Sequence, residues 1–468
     1  MTSNPCRVMV PFVAAVLCPL ALADDWSNSG GNAGRNGRTT ESGPGAADVL
    51  WSGGRPSIIA WQPVIEGGRV FMVRQTGFLP AAAPNDSPVV AQDLDTGAEL
   101  WFKHLPHAAG DWTAWVAGVK DGRVFASRGG NGASVSAPLY ALDAATGGVL
   151  WDSDDLIDAG PYDGVVFADD GDPFVGSFQD IWRINAQDGT TVWHATRTCS
   201  VSSSCGGALG PGGAAFYVAD AAVGGHVIKR FNAATGAFEY AGPAMTGFTL
   251  QNTPLVGPDG SIYLSRTQNN VATDFFYAFA DSGAAITQKW FVPARWTVVS
   301  EFAVGADGSV YMLAPGTVVR RLHPDTGAIV NESAPIVSDF NAQPRLATDA
   351  VGRVYLSNGS FMNGRFYCFN ADLTERWNTP VPNSNIGGPA IGEAGTLVVA
   401  GIGTSVRAFR VEPCYPDCNA SGTLTVADFG CFQGKYVLGD LYADCNATGS
   451  LTLADFGCFQ GKYVLGCP

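Results

Sequence analysis

The sequence predicts an all-β chain, an eight-bladed β-propeller, with a small helical module at its C-terminus. Three observations lead there. A turn-and-tryptophan pattern recurs from about residue 50 to residue 410. The composition is rich in turn residues and poor in charge. The last 55 residues contain a tandem duplication.

Composition sets the class. Charged residues make up only 15% of the chain, beside 59 Gly and 28 Pro, while 46% is hydrophobic. Such a mix disfavours helices and supplies many tight turns between short buried strands. The net charge of −15 argues against nucleic acid as a partner, because phosphate binding needs a basic surface. An acidic balance instead suits an extracellular protein and calcium, whose ligands are hard oxygens.

Residues 1–23 read as a signal peptide. Arg7 supplies the positive start, Val8 to Leu22 the apolar run, and Ala21-Leu22-Ala23 a small-residue cleavage site before Asp24. Leu17 precedes Cys18 where a lipid-attachment signal needs a small residue, which argues against lipidation. No later segment reaches transmembrane length. Six of the nine cysteines that remain after cleavage fall in the last 55 residues, a density that predicts disulfides in an exported protein.

The repeat is clearest in LYALDAATGGVLW (139–151). A β-rich run leads into Asp/Asn-x-x-Thr-Gly, then a second strand ends in an aromatic residue. Other copies end at Trp101, Trp193, Tyr240, Trp290, Asn331 and Trp377, at steps of 41 to 50 residues. The Asp or Asn side chain bonds backbone two residues on, and Gly takes the left-handed turn position. Upstream of each copy lies another strand pair, as in VGPDGSIYL (256–264) and VGADGSVYM (304–312). Four strands at a period near 45 residues make a propeller blade.

Seven complete units end at the residues named. The last run, 389–411, stops after three strands, and DVLW (48–51) is an orphan outer strand at the other end. Pairing the two completes an eighth blade and removes the exposed edges that invite aggregation. Trp51, Trp101, Trp151, Trp193, Trp290 and Trp377 share one repeat position and are expected in the core.

These repeats resemble those of the pyrroloquinoline-quinone-type propellers and their cofactor-free relatives, over roughly residues 24–411. DWSNSGGNAGRNGR (25–38) is similar to the segment that often precedes the first blade in that family. In the family the shared tryptophan packs between neighbouring blades. Fold likeness does not fix chemistry.

Propeller ligands sit at the channel mouth. Aligning GRVF (68–71) on GRVF (122–125) places Trp61, followed by Gln62, level with Trp115. Later blades bring Asn252 and Thr253, then Glu301, then Gln343. Aromatic and amide groups there would stack on and hydrogen-bond a sugar or peptide. The plain alternative is that they fill the channel rim.

Catalytic signals are thin. The family's quinone dehydrogenases carry a vicinal cysteine pair, and this sequence has no Cys-Cys dipeptide, which argues against pyrroloquinoline quinone as a cofactor. His104, His107, His194, His226 and His323 are scattered. Asp169, Asp170 and Asp172 fall at an expected hairpin tip. Cys199 and Cys205 flank a short loop that a disulfide would close, and Cys368 falls in a strand as a buried thiol.

LTVADFGCFQGKYVLG (424–439) recurs as LTLADFGCFQGKYVLG (451–466), with Val426 replaced by Leu453 as the sole difference. Each copy follows an EF-hand-like loop. Asp417, Asn419, Ser421, Gly422 and Asp428 occupy loop positions 1, 3, 5, 6 and 12. Asp444, Asn446, Thr448, Gly449 and Asp455 repeat the series. Thr423 and Ser450 offer carbonyls at position 7. Alternate oxygens wrap one ion, Gly allows the sharp bend, and the position-12 carboxylate closes the shell. Phe429, Phe432 and Tyr436, with Phe456, Phe459 and Tyr463, share a helix face that forms the module's core. Lys435 and Lys462 fall nearer the polar side.

This module, residues 414–468, resembles a dockerin, the duplicated unit that plugs into cohesin domains. It is closest in pattern to variants ending in Gly-Cys, here Gly466-Cys467. Dockerins usually carry Asp at position 5, so Ser421 and Thr448 leave two carboxylates per loop and predict weaker calcium affinity. The resemblance makes Lys435 and Lys462 candidate partner contacts, usable from either copy by a half rotation. Cys414, Cys418, Cys431, Cys445, Cys458 and Cys467 allow 15 pairings. One hypothesis clasps Cys414 to Cys467 with two further bridges inside. Glu412-Pro413 would be a short linker.

The favoured reading is a secreted, non-catalytic binding or scaffold protein. Its propeller would recognise an extracellular protein or glycan, and its module would dock to a cohesin-like partner through calcium. The alternatives are a propeller enzyme, polysaccharide-active or quinone-dependent, and an envelope protein-assembly factor.

Overall fold

The computed structural model describes residues 26–77, 87–108, 111–130, 135–157, 164–199, 206–246, 253–266, 275–295, 302–337, 344–384, 386–410, 415–419, 424–446 and 448–466. The expected signal peptide with Cys18, and the linker Glu412-Pro413, lie outside them.

The strands form eight antiparallel sheets, the blades of one propeller. Blade 2 shows the plan, with Thr113–Lys120 innermost, then Arg123–Gly129, Ala137–Asp143 and, outermost, Val149–Ile157. Burial follows the order. The second strand of the blade is buried almost throughout, whereas the outermost strand exposes Val149 and Leu150 and turns Trp151 inward.

Blade 8 joins both ends of the propeller. Its three inner strands, Ala390–Gly392, Thr396–Ala400 and Val406–Phe409, come from late in the sequence, and its outer strand is Val49–Ser52. Trp51 pairs with Ala408 across that junction. Arg74, fully buried, stitches the seam. Its guanidinium donates to the carbonyls of Arg55, Gly401 and Gly403, and burial lowers its pKa to about 10.

The repeat tryptophans pack between blades, as the resemblance implies. The indole N–H of Trp51 donates to Leu94 O of the next blade at 2.8 Å, Trp101 to Ala144 at 3.0 Å, and Trp151 to Ala186 at 3.0 Å. Trp193 and Trp290 reach Ala233 and Pro324 in the same way. Each acceptor is the second residue of a five-residue turn ending in Gly, with Asp or Asn first except at His323 and Thr fourth except at Asp188, so the turn and the tryptophan form one device repeated around the ring. Gly147 of such a turn has φ +70°, and a Cβ there would lie 2.7 Å from the Trp101 ring. That position needs glycine for both its conformation and its space.

Where the repeat departs from Trp, other groups substitute. Tyr240 donates its hydroxyl to Asp281 of the next turn at 2.6 Å. After Asn331 the bond to Ala371 O comes from Tyr311 and Arg321 instead. Trp377 faces blade 8, whose outer strand comes from the other end of the chain, so no turn of that type is present. Its buried indole nitrogen has no hydrogen-bond partner among the described residues.

Two helices follow the propeller in sequence, α1 (Val426–Leu438) and α2 (Leu453–Leu465). Both begin with a capping box, Thr425 with Asp428 and Thr452 with Asp455, which satisfies backbone N–H groups of the first turn. Gly439 ends α1 in the left-handed conformation.

Candidate channel site and paired cation loops

The channel is closed at one end by the chain itself. Residues 26–38 run across the inner strands, at the ends that lead into the tight turns. Trp26 forms a two-way backbone bridge with Ile65 of blade 1. The carbonyls of Ser27, Ala33, Gly34, Asn36 and Gly37 then accept from Val119, Leu209, Val256, Val304 and Thr348, on blades 2, 4, 5, 6 and 7. Arg35, buried in this segment, donates to Gly207 O and Gly164 O, adding blades 4 and 3. One stretch of glycine- and asparagine-rich chain thus ties seven blades together. Small residues let its backbone pass close to the strands: a Cβ on Gly34 would lie 2.5 Å from Val256 O.

The sequence-derived mouth residues lie toward the other end of the inner strands. Ile59–Ala60 and Val64–Glu66 both pair with Arg69–Gln75, and the break between them holds Trp61 and Gln62. Pro63 accounts for the break, since it has no N–H for the ladder. Trp115 lies in the inner strand of blade 2. Trp61, Gln62 and Trp115 come together, with Ser29 of the threading segment, Val64, Gly164 and Ile386, around a cavity of about 20 Å³. Room for one water needs roughly 10–15 Å³. Gln62 Oε1 and Trp115 Nε1 have no hydrogen-bond partner among the described residues, so the cavity wall offers such a water one acceptor and one donor.

Both indoles are almost wholly buried, and Trp61 Nε1 donates to Gln75 Oε1 at 3.0 Å. Neither presents an open face on which a sugar ring stacks. Thr253 is buried ahead of the inner strand of blade 5. Asn252, Glu301 and Gln343 lie outside the described residues.

The C-terminal loops have a different chemistry. In the second loop, Asp444 accepts from Thr448 N–H at 2.9 Å and from Gly449 N–H at 2.6 Å, and Asn446 Oδ1 accepts from Thr448 N–H at 3.3 Å. Gly449 takes φ +78°, the bend expected at position 6. Asp455, fully buried, accepts from Thr452 N–H at 2.7 Å and from Asn446 N–H at 3.3 Å, so position 12 returns to position 3. Those bonds, led by the Thr452 N–H, hold the Asp455 carboxyl below the usual range. The Asp428 carboxyl is likewise lowered: burial pushes it up, but bonds from Thr425 and Asn419 outweigh that.

The donors gathered in the second loop are all oxygens, from Asp444, Asn446, Thr448, Ser450 and Asp455, which suits a hard cation. The first loop repeats the return of position 12, with Asp428 accepting from Asn419 N–H at 3.3 Å, and Ser421 and Thr423 lie outside the described residues. Among the described residues no three carboxylates, histidines or thiols gather.

Among the described residues two disulfides lie inside the module. Cys418 bonds Cys431 and Cys445 bonds Cys458, each within its own copy. Cys414 and Cys467 lie outside the described residues, as does Cys205, the expected partner of Cys199. Cys368 is the buried strand thiol anticipated, with its pKa pushed up to about 12 by burial.

The two copies lock together through contacts that obey a twofold rule. Phe432 stacks on Phe459 at 4.1 Å, Phe429 meets Tyr463 at 4.6 Å, and Tyr436 meets Phe456 at 4.7 Å. Tyr415 stacks on Tyr442 at 4.9 Å. Lys435 lies over the Tyr442 ring and Lys462 over the Tyr415 ring, at 4.1 and 4.2 Å. Both lysines, taken from sequence as partner contacts, therefore reach across their own module. Residues that sequence reasoning missed stand out instead: Val426 and Leu453, Val437 and Val464, Leu438 and Leu465 are each 76–86% exposed. Their signal was the duplication itself, since apolar residues off the core face were copied unchanged or conservatively.

Residues 85–286 match the family model described as outer membrane protein assembly factor BamB. Over those residues the repeats are similar to that family's. Among solved structures, the chain is similar to BamB from Moraxella catarrhalis at 14% identity and a TM-score of 0.50, covering 75% of this chain and 94% of that one. A quinohemoprotein alcohol dehydrogenase from Pseudomonas putida HK5 gives 13% identity and a TM-score of 0.55, over 83% and 80% of the two chains. A europium-containing methanol dehydrogenase gives 13% and 0.54, over 81% and 90%. At these identities the likeness is one of fold. No curated protein matches the sequence. The match covers the earlier blades, and the later blades and the module lie beyond the matched residues.

Proposed function

We propose that the chain is a non-catalytic extracellular or cell-surface scaffold. Its propeller holds an extracellular protein or glycan, and its dockerin-like module docks it to a cohesin-like partner when calcium fills the two loops. One observation carries the docking reading. Six aliphatic side chains, three per helix at equivalent positions, are exposed on a module of two short helices. Large apolar side chains left in water in a repeated arrangement mark an interaction surface. The loops begin just before the helices that display them, so a bound cation would lie beside the same surface and add its charge there.

Leu438→Asp with Leu465→Asp tests the reading. Capture of a partner from the host's extracellular fraction is expected with the wild-type chain in calcium and lost in the double variant. Equal capture by both would remove the docking surface from the account.

A second reading, an envelope protein-assembly factor, is favoured by the BamB match over residues 85–286. It uses the propeller alone and predicts a partner that binds regardless of calcium.

A further inference from the structure

In an EF-hand-like loop the ends must be brought together, and a bound cation ordinarily does this. Here a covalent bond already joins them. Cys418 stands between Asp417 and Asn419, at loop position 2, and bonds Cys431, three residues past Asp428 on α1. Cys445 and Cys458 do the same for the second loop, with the same spacing of 13 residues. Each bridge ties the first ligand positions of a loop to the helix that carries its last.

The rest of the module is held by contacts of its own. Phe432 and Phe459 are fully buried against each other, and Asp428 and Asp455 are already engaged by backbone N–H groups. Tyr415 and Tyr442 clasp the two loops from the outside.

We propose that the paired bridges, and not calcium, are the folding staples of this module, so that it stays folded without metal and opens on reduction. Calcium then fills loops already in place, and redox state, not metal supply, decides whether a folded module exists. This goes beyond the docking reading and does not depend on it, because folding is read without a partner.

The test uses the full mature chain and trypsin, with cleavage after Lys435 and Lys462 followed by mass. Both lysines lie within helices and over tyrosine rings, so cutting there reports opening of the module. Closing a loop of this size shifts an opening equilibrium on the order of a hundredfold per bridge. Chelator alone is expected to change cleavage less than about twofold, whereas chelator with reductant raises it on the order of a hundredfold. Cys418→Ser with Cys431→Ser should raise cleavage at Lys435 in chelator, and at Lys462 to a lesser degree because its own bridge remains, while an unchanged thermal transition of the propeller keeps the test free of a global folding failure. Rapid cleavage in chelator with both bridges intact overturns the proposal. So does full protection after reduction in chelator.

Discussion

The hydroxyl of Tyr415 donates to the carbonyl of Tyr442 at 2.5 Å, and the hydroxyl of Tyr442 donates to the carbonyl of Tyr415. Each residue stands two places before the first ligand position of its loop. The pair therefore couples the two loops directly, and the duplication gives both halves the same bond.

Symmetry makes a prediction from this pair. Tyr415→Phe and Tyr442→Phe each remove one hydrogen bond and keep the ring, so each should cost about 1 kcal/mol. Amide hydrogen exchange along α1 and α2 measures it. The two variants should loosen both helices to a similar degree; loosening of one helix alone would mean the halves are not coupled.

The tryptophan turns give a graded series. Trp151→Phe loses the bond to Ala186 and should cost about 1–2 kcal/mol, with the acceptor left buried. Trp377→Phe removes an indole nitrogen that has no partner, so the loss of that group should cost well under about 1 kcal/mol. Gly147→Ala meets both a positive φ and the Trp101 ring and should cost more than about 1 kcal/mol. Thermal denaturation of the three variants gives the order. A Trp377 variant as damaged as the Trp151 variant would contradict it.

Cys368 predicts a pH dependence. Burial raises its thiol pKa to about 12 from an ordinary 9.0. A raised acid is neutral in the fold, so its contribution is intact below the unfolded value and is lost as pH rises through about 12. Native protein should resist thiol alkylation at neutral and mildly alkaline pH and react at Cys368 on unfolding. Rapid labelling of the native chain near neutrality would show that the site opens.

Much of this architecture could be read from residues 50–410. The Asp-x-x-Thr-Gly turns and the shared tryptophan fixed strand order and blade count, because each copy states the same local physics. Closure through Trp51 followed from an orphan strand at one end and a three-stranded remnant at the other. The threading segment did not reveal its path, because its bonds are backbone bonds to residues tens to hundreds of positions away, and backbone carries no sequence label. Trp61 and Trp115 were rightly aligned, but alignment gives register and not exposure, and the two rings proved buried. Lys435 and Lys462 were placed on a polar face, where only the partner helix's loop shows that tyrosines wait beneath them. The clasp of Tyr415 and Tyr442 was legible in principle, since each stands two places before Asp-Cys-Asn and they lie 27 residues apart.

The loops predict weak, paired metal binding. Two carboxylates per loop place calcium affinity on the order of 10⁻⁴–10⁻³ M, the range of extracellular modules. Ser421→Asp with Thr448→Asp adds a carboxylate to each loop and should tighten binding at least about tenfold. Calorimetric titration of the full chain should give two sites per chain; a variant no tighter than wild type would mean that position 5 does not face the ion.

The most direct test of the central claim is capture of a partner from the host's extracellular fraction by the full chain. It is run in calcium, in chelator, and with Asp417→Ala and Asp444→Ala combined. The account predicts one partner retained by the wild-type chain in calcium and lost in both other arms, with the module still resistant to trypsin. Retention of that partner in chelator and by the loop variant would contradict calcium-dependent docking and leave the propeller as the binding part of the molecule.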